Sequence, residues 1–196
     1  RNVRPPSPAL VKALLAPGTE PVSGGTDGAG GTLAAGPTNN AGWGRVSIEN
    51  MLLQTPEADR GPKIFVDQRH AFTATGQEYT IRVAAADPSL PLRVTLTWSD
   101  AAGAVGASPA LVNDLDLEVR QVSTGQLFRG NVFSGGLSTP GGVADSLNTT
   151  EGAVIQNPSG VYEVTVVAAS IAASARTDVA GPWQDFAPVI DNAEAP

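Results

Sequence analysis

The chain has 196 residues, enough for one large domain, or for a domain with an appendage, that buries a core without disulfide bonds. It has no cysteine, which excludes disulfides and thiolate metal sites, and its net charge of −7 with only 12 basic residues disfavours nucleic acid as a partner. No apolar run approaches the roughly 20 residues of a spanning helix, so we expect no membrane span.

The first predicted element is a short helix over residues 8–15. Ser7 is a favourable N-cap, and Pro8 suits the first helical position, where its missing N–H costs nothing. Four apolar residues form a stripe along this helix, namely Leu10, Val11, Leu14 and Leu15. A helix this short does not persist alone in water, so we expect it to dock on a surface that its sequence neighbours do not supply.

Residues 17–44 form a glycine-rich segment, in which nine of the 28 residues are glycine. This composition predicts a long loop rather than a helix or a strand. The segment ends around Trp43, after which Ser47 is placed to cap a second short helix from Ile48 to about Leu53.

From about Pro62 onward the hydrophobic pattern changes to a period of two, which is typical of strands. The predicted strands are 63–67, 79–84, 92–98, 115–122, 153–156, 161–168 and 183–190. Glycine- and proline-rich turns separate them, and no helical pattern intervenes. The sequence therefore predicts an all-β protein, a jelly-roll or Greek-key β-sandwich, with a short helical N-terminal appendage.

Motifs of the common hydrolytic centres are missing from the sequence. The single histidine, His70, falls in a predicted loop, and neither a G-x-S-x-G nor an H-E-x-x-H motif occurs. We therefore interpret His70 as an exposed loop residue and assign no catalytic residue.

Two groups of acidic and amide side chains stand out in a chain with few charges. The first group lies on one face of a predicted strand and consists of Asp114, Asp116 and Glu118. The second group consists of Asp145, Asn148 and Glu151, in a loop that enters a strand. Oxygen donors of this kind suit calcium, but the same pattern fits a solvated acidic face of a sandwich. The spacing alone leaves both interpretations open.

Several strings resemble the C-terminal region of secreted subtilisin-like serine proteases. The tail of the catalytic domain is matched by SPALVKALL at residues 7–15 and by GWGRVSIEN at residues 42–50, although Ser47 stands where that family usually has asparagine. The β-sandwich extension of one branch of the family, similar in architecture to the P domain of proprotein convertases, is matched by five strings. They are PLRVTLTWSD at 91–100, ALVNDLDLEV at 110–119, GN at 130–131, DSLNTTEG at 145–152 and QDFA at 184–187.

The resemblance implies two domains, with the catalytic-domain tail at residues 1–61 and the P-domain-like sandwich at 62–196. The family's Gly-Thr-Ser nucleophile motif is expected a few tens of residues before Arg1, and its catalytic Asp and His further upstream. The resemblance therefore implies a secreted, non-catalytic portion of the protease that is inactive alone. Its implied partners are the catalytic domain of the same polypeptide, on which the first helix would pack, and protein substrate.

The resemblance also implies structural calcium, because related extensions bind it and the acidic groups fall in the best-matched strings. The implied ligands are Asp116, Asp145 and Asn148, with Asp114, Asn113, Glu151 and Asp100 behind them. The expected role is to stabilise or help fold the catalytic domain, and to position protein substrate. The alternative is a module that binds an extracellular polymer such as collagen or polysaccharide, or an adhesion domain. Aromatic residues make up only 5% of the chain, which disfavours sugar binding by stacking.

Overall fold

The structure, a computed structural model, describes residues 5–33, 35–38, 40–52 and 60–196. Its N-terminal elements are α1 (Pro8–Leu15), β1 (Thr19–Glu20), β2 (Arg45–Val46) and α2 (Ile48–Leu52). They are followed by β3 (Lys63–Phe65), β4 (Ala71–Phe72), β5 (Glu78–Ala85), β6 (Leu92–Thr97), β7 (Asp114–Gln121), β8 (Leu127–Ser134) and β9 (Leu137–Pro140). The last strands are β10 (Thr150–Ile155), β11 (Val161–Ser170), β12 (Gln184–Asp185), β13 (Ala187–Asp191) and β14 (Ala193–Glu194).

Two antiparallel sheets pack face to face. One has four strands in the order β10-β6-β13-β3, and the other has six in the order β14-β5-β11-β7-β8-β9. The chain crosses directly from one sheet to the other at β5–β6, β6–β7, β9–β10, β10–β11 and β13–β14, so strands that are close in sequence are distributed over both layers. This arrangement confirms the predicted all-β class with a small helical part.

The core lies between the two sheets, and strict alternation places it there. In β7 and β11 every second residue is buried, including Leu115, Leu117, Val164 and Val166. These side chains meet the inward face of β6, and Trp98 at the end of that strand is also buried. The period of two read from the sequence therefore reports the real inward and outward faces of the sandwich.

The helix α1 docks on the outer face of the four-stranded sheet. The Ser7 side chain accepts a hydrogen bond from Leu10 N at 3.0 Å, which confirms the predicted cap. The buried residues are Ala9, Leu10 and Ala13, which pack on Ala187 and Val189 of β13. The predicted stripe was wrong in part, because Val11 is 40% exposed and the small residues Ala9 and Ala13 face the sheet instead. The resemblance implied that this helix packs on the catalytic domain, and that expectation was wrong for its buried face, which packs on β13 of the sandwich, about 175 residues further along the chain.

Strands β8 and β9 were missed by the sequence analysis. Asn131 in the middle of β8 has φ of +60°, so the strand is irregular there and its alternation is broken. The predicted last strand, 183–190, is split at Phe186. Its first part, β12, pairs with β4, whereas β13 pairs with β3 and β6. The predicted second helix is observed from Ile48 to Leu52, and its expected last residue, Leu53, lies outside the described residues.

The glycine-rich segment lies beside the sheet rather than projecting from it. Apart from β1 and isolated bridges, the described residues of this segment have no regular structure, as predicted. Trp43 packs directly on Gly152 of β10, where an added Cβ would lie 2.4 Å from the indole ring. Residues 5–33, 35–38 and 40–52, which we call the N-terminal cover, thus shield the outer face of the four-stranded sheet.

Strand β10 is at the edge of the four-stranded sheet, and side chains bond two of its amides. Gly152 N donates to the Asn131 side-chain oxygen at 3.0 Å, and Val154 N donates to the Ser138 hydroxyl at 2.9 Å. No described helix is both long and apolar enough to cross a membrane.

Candidate metal centre between β7, β8 and β10

An opening between β7 and β8 brings acidic side chains together. The two strands pair only from Glu118 to Arg120, because β8 turns away around Asn131. The N–H of Leu117 lies just before this paired region, and it donates to Glu151 Oε2 at 2.7 Å. The carboxyl group of Glu151 on β10 therefore accepts the hydrogen bond that a backbone carbonyl of a neighbouring strand would otherwise accept.

Glu151 is the most deeply buried acid of this opening. Its side chain points inward beside Leu96, it is 1% exposed, and its Oε1 has no hydrogen-bond partner among the described residues. Gly130 leaves room for it, since a Cβ there would lie 2.2 Å from Oε2. Burial raises the pKa of Glu151 to about 9, the Leu117 N–H opposes this shift, and the nearby Asp116 adds to it. At neutral pH Glu151 is therefore protonated when no cation is present.

Asp114 and Asp116 lie on the face of β7 that adjoins this opening. Each has one buried carboxylate oxygen, Oδ1, without a hydrogen-bond partner among the described residues. Burial raises the pKa of Asp116 to about 6, and the charges of Asp114 and Glu118 reinforce the shift. Glu118, the third acid of the strand, is compensated by Arg129 at 3.5 Å. The predicted common face is confirmed, but it is half-buried rather than freely solvated.

Asp145 is the fourth acid of this group, and its carboxylate accepts the most hydrogen bonds. Its Oδ2 accepts hydrogen bonds from Asn131 at 2.5 Å and from Asn148 at 2.7 Å, and its Oδ1 accepts one from Leu147 N at 2.9 Å. Burial acts to raise the pKa of Asp145, but these hydrogen bonds outweigh it and lower the pKa. Asn148 thus contacts the site through Asp145.

The other two predicted ligands, Asp100 and Asn113, belong to a separate hydrogen-bond network. Asp100 accepts bonds from the backbone N–H groups of Ala101, Val112 and Asn113 at 2.7–2.8 Å. Asn113 is fully buried, and its side-chain oxygen Oδ1 accepts the backbone N–H of Ala173 at 3.0 Å. Both side chains hold the loop that leads into β7.

One residue of the opening, Asn131, was not among the predicted ligands. Its side-chain amide donates to Asp145 and to the backbone carbonyl oxygen of Thr150. The Thr150 hydroxyl is also buried without a partner among the described residues, but it lies on the face of β10 opposite Glu151. The glycine-asparagine pair at 130–131, in an otherwise regular strand, was the signal available in the sequence, since it marks both a close approach and a positive φ.

The donors do not form a closed ligand set as they stand. Within the described ranges, no three Asp, Glu or His side chains converge as a ready metal-binding group. What the opening offers is a set of hard oxygen donors, several of them buried and unpartnered, on four neighbouring carboxyl groups, those of Asp114, Asp116, Asp145 and Glu151. Such donors suit a cation of the calcium type.

Removal of divalent cations is expected to make stability fall as pH rises. Asp116 and Glu151 bind protons more tightly in the folded chain than in the unfolded one. Their contribution is therefore fully present below the unfolded values near pH 4 and is lost as pH rises through about 6 and then about 9. For Glu151 alone the slope is at most about 1.4 kcal/mol per pH unit. Urea unfolding in the presence of a chelator at pH 5, 6.5 and 8 measures how the free energy of unfolding falls with pH.

The variant Glu151→Gln should flatten this pH profile, because it keeps an oxygen acceptor for Leu117 N–H and removes the ionisable group. Glu163→Gln is the matched control, since its carboxylate lies at the surface beside Arg82. A profile as steep in Glu151→Gln as in the unaltered chain would show that Glu151 does not titrate as described.

The comparisons with known proteins leave the family of the chain undetermined. No family model matches the sequence, and a search of curated proteins finds no significant match.

Proposed function

We propose that the chain is the non-catalytic C-terminal portion of a secreted subtilisin-like serine endopeptidase, in which the β-sandwich stabilises the end of the catalytic domain. The observation that carries this proposal is the attachment of the N-terminal cover to the sandwich. The cover contains the strings that resemble the catalytic-domain tail, and the sandwich contains those that resemble the extension.

Specific contacts fasten the cover at several points. The Ser7 hydroxyl donates to Asp67 at 2.5 Å, and the Thr97 hydroxyl donates to the Ala9 carbonyl oxygen at 2.5 Å. Lys12 Nζ donates to the Thr149 hydroxyl at 2.8 Å. Together with the burial of Leu10 on β13, these contacts fix the cover relative to the sheet. A catalytic domain continuous with this segment would gain a rigid support.

The cover also presents apolar side chains away from the sandwich. Val11, Val46 and Ile48 are 40%, 52% and 59% exposed, and Phe65 of the edge strand β3 is 56% exposed. In a larger protein, exposed apolar side chains of this size can be covered by another domain. We assign this surface to the catalytic core of the same polypeptide.

Calcium fits this proposal as a structural ion in the opening between β7, β8 and β10. Asp114, Asp116 and Glu151 would hold it through their buried, unpartnered oxygens. Asp145 would join them by giving up one of its two amide partners. The ion would neutralise the mutual repulsion of the carboxylates and so stabilise the sandwich that carries the cover.

The chain alone is expected to hydrolyse neither casein nor peptide esters, because the proposal places nucleophile and base in another part of the polypeptide. Turnover in a contaminant-free preparation that is blocked by a serine-directed inhibitor would contradict the proposal. The coding sequence upstream of Arg1 is a second test of the proposal, since a Gly-Thr-Ser motif is expected there.

The exposed apolar surface supplies a sharper test in the full-length enzyme. Ile48→Ala should leave the melting temperature of the isolated chain unchanged, because Ile48 is exposed there, but should shorten the thermal inactivation half-life of the parent protease. Val105→Ala, a fully exposed loop residue of the sandwich, should change neither value. Equal behaviour of the two variants in the parent enzyme would refute the assignment of this surface.

One observation favours the alternative of a polymer-binding module. A polar groove of about 750 Å³ contains the rings of Trp43 and Phe133, whose centroids are 6.1 Å apart, and the side chain of Lys12. Aromatic rings beside polar groups can bind a saccharide or a collagen chain. Sedimentation of the chain with insoluble collagen or polysaccharide, lost in Phe133→Ala, would favour this alternative over the support role.

A further inference from the structure

A second cavity, of about 260 Å³, lies between the outer face of the four-stranded sheet and the N-terminal cover. Its apolar walls come from Pro17, Pro21, Pro37, Trp43, Pro91 and Leu137. The volume lies just below the roughly 300–1,000 Å³ that is usual for pockets of drug-sized ligands, so an occupant must be small. The cavity is separate from the acidic opening and is not needed for the function proposed above.

One charged side chain, Arg93 of β6, lies among the described residues that line this cavity. Its neighbours across the sheet are Val154 on β10 and Asp191 on β13. Its Nε has no hydrogen-bond partner within the described part of the chain but has almost no accessible surface, so a ligand in the cavity would contact the outer nitrogens of the guanidinium. Thr95 and Gln156 also line the cavity and add a hydroxyl and an amide to the guanidinium.

The surroundings of Arg93 carry more positive than negative charge. The nearby carboxylate of Asp191 forms an ion pair with Lys63, whose Nζ is 2.8 Å from Asp191 Oδ1, and both side chains are buried. Arg60 is also buried, and its Nη2 donates to the carbonyl oxygen of Thr19 at 2.6 Å. Among the described residues, three cations thus share one carboxylate. Burial lowers the pKa of Arg93 to about 10, and the charge of Arg60 lowers it further than Asp191 can offset.

We propose that this cavity binds a carboxylate that carries a small apolar group. A guanidinium is planar and presents paired donors that match the two oxygens of a carboxylate. The proline and tryptophan walls suit an aliphatic body, and a single lining cation suits a monoanion better than a phosphate. Two sources share this chemistry, namely the C-terminus of a peptide that ends in an apolar residue and a free short-chain carboxylic acid.

The test titrates the whole chain with isovalerate, N-acetyl-leucine and acetyl-Ala-Ala-Leu, each beside its uncharged amide. Binding is measured by calorimetry and through the Nε–Hε resonance of Arg93. We expect the acids to shift that resonance and the amides to bind about tenfold more weakly or not at all. Binding of the tripeptide acid at least as tight as that of isovalerate identifies a peptide C-terminus. Binding of isovalerate alone identifies a free acid.

Variants localise the site. Arg93→Gln should abolish binding of the acids, while Arg82→Gln, which breaks an exposed ion pair with Glu163 on the other sheet, should leave it unchanged. The wild-type resonance measurement decides the question even if Arg93→Gln does not fold. Equal affinity for acids and amides would overturn the proposal. So would undiminished binding of the acids to a folded Arg93→Gln variant.

Discussion

Excess calcium is expected to raise the melting temperature of the chain by several degrees over excess chelator at pH 8. An ion that binds only the folded state adds roughly 2.7 kcal/mol to the free energy of unfolding when its concentration is 100 times Kd. For a chain of this size that gain corresponds to several degrees. The gain should be largest at high pH, because protons compete with calcium for Asp116 and Glu151.

Asp116→Asn should remove most of this calcium-dependent gain. The substitution keeps the size of the side chain and takes away the charge of a carboxyl with a buried, unpartnered oxygen. The matched control is Glu163→Gln on β11, because Glu163 pairs with Arg82 at the surface and lies apart from the acidic opening. Equal melting temperatures in calcium and chelator, with no calcium found by elemental analysis, would leave these acids as a half-buried face of the sandwich.

Asn113→Ala should lower the free energy of unfolding by about 3 kcal/mol or more, because each buried polar group left without a partner costs about 1–3 kcal/mol. The Asn113 side chain accepts the N–H groups of Ala172 and Ala173 and donates to the Ala173 carbonyl oxygen and to Gln184, all at 2.9–3.0 Å. Asn113 and Gln184 are fully buried, so water cannot replace the lost bonds.

Gln121→Ala is the control for this loss. Gln121 also makes side-chain hydrogen bonds, to Ser159 and Thr124, but they are exposed to solvent. Its removal should cost less than about 1 kcal/mol, since water takes over the exposed partners. Urea unfolding followed by circular dichroism compares the two variants. A similar loss in both would show that burial of the Asn113 network does not decide its contribution.

The sequence predicted the parts of the fold that repeat with a fixed period. Alternation in β7 and β11 located two central strands, because each buries one face completely. It failed at β8, where Asn131 adopts a positive φ and interrupts the period. It also misjudged which side of α1 is buried, since a stripe of large residues does not reveal that Ala9 and Ala13 allow the closest approach to β13.

The candidate site was predictable in its acids but not in their partners. Asp114 and Asp116 are two residues apart in one strand, so their common face follows from the pleat. That Glu151 fills a gap beside Leu117, or that Asn131 engages Asp145, depends on where β8 leaves β7. Such a divergence arises from the packing of distant strands, which no local pattern records. The predicted role of calcium itself stays a prediction.

The bonded amides of β10 have a consequence for how molecules of this chain behave when crowded. An edge strand with free amides invites a strand from a neighbour, and repeated additions lead to fibres. Here the side-chain oxygens of Asn131 and Ser138 already occupy the amides of Gly152 and Val154. A visiting strand must first displace both oxygens, so its new bonds replace old ones rather than adding to them. Side chains of the same molecule thus protect the β10 edge of the sheet, without the lysines or prolines that many edge strands carry for this purpose.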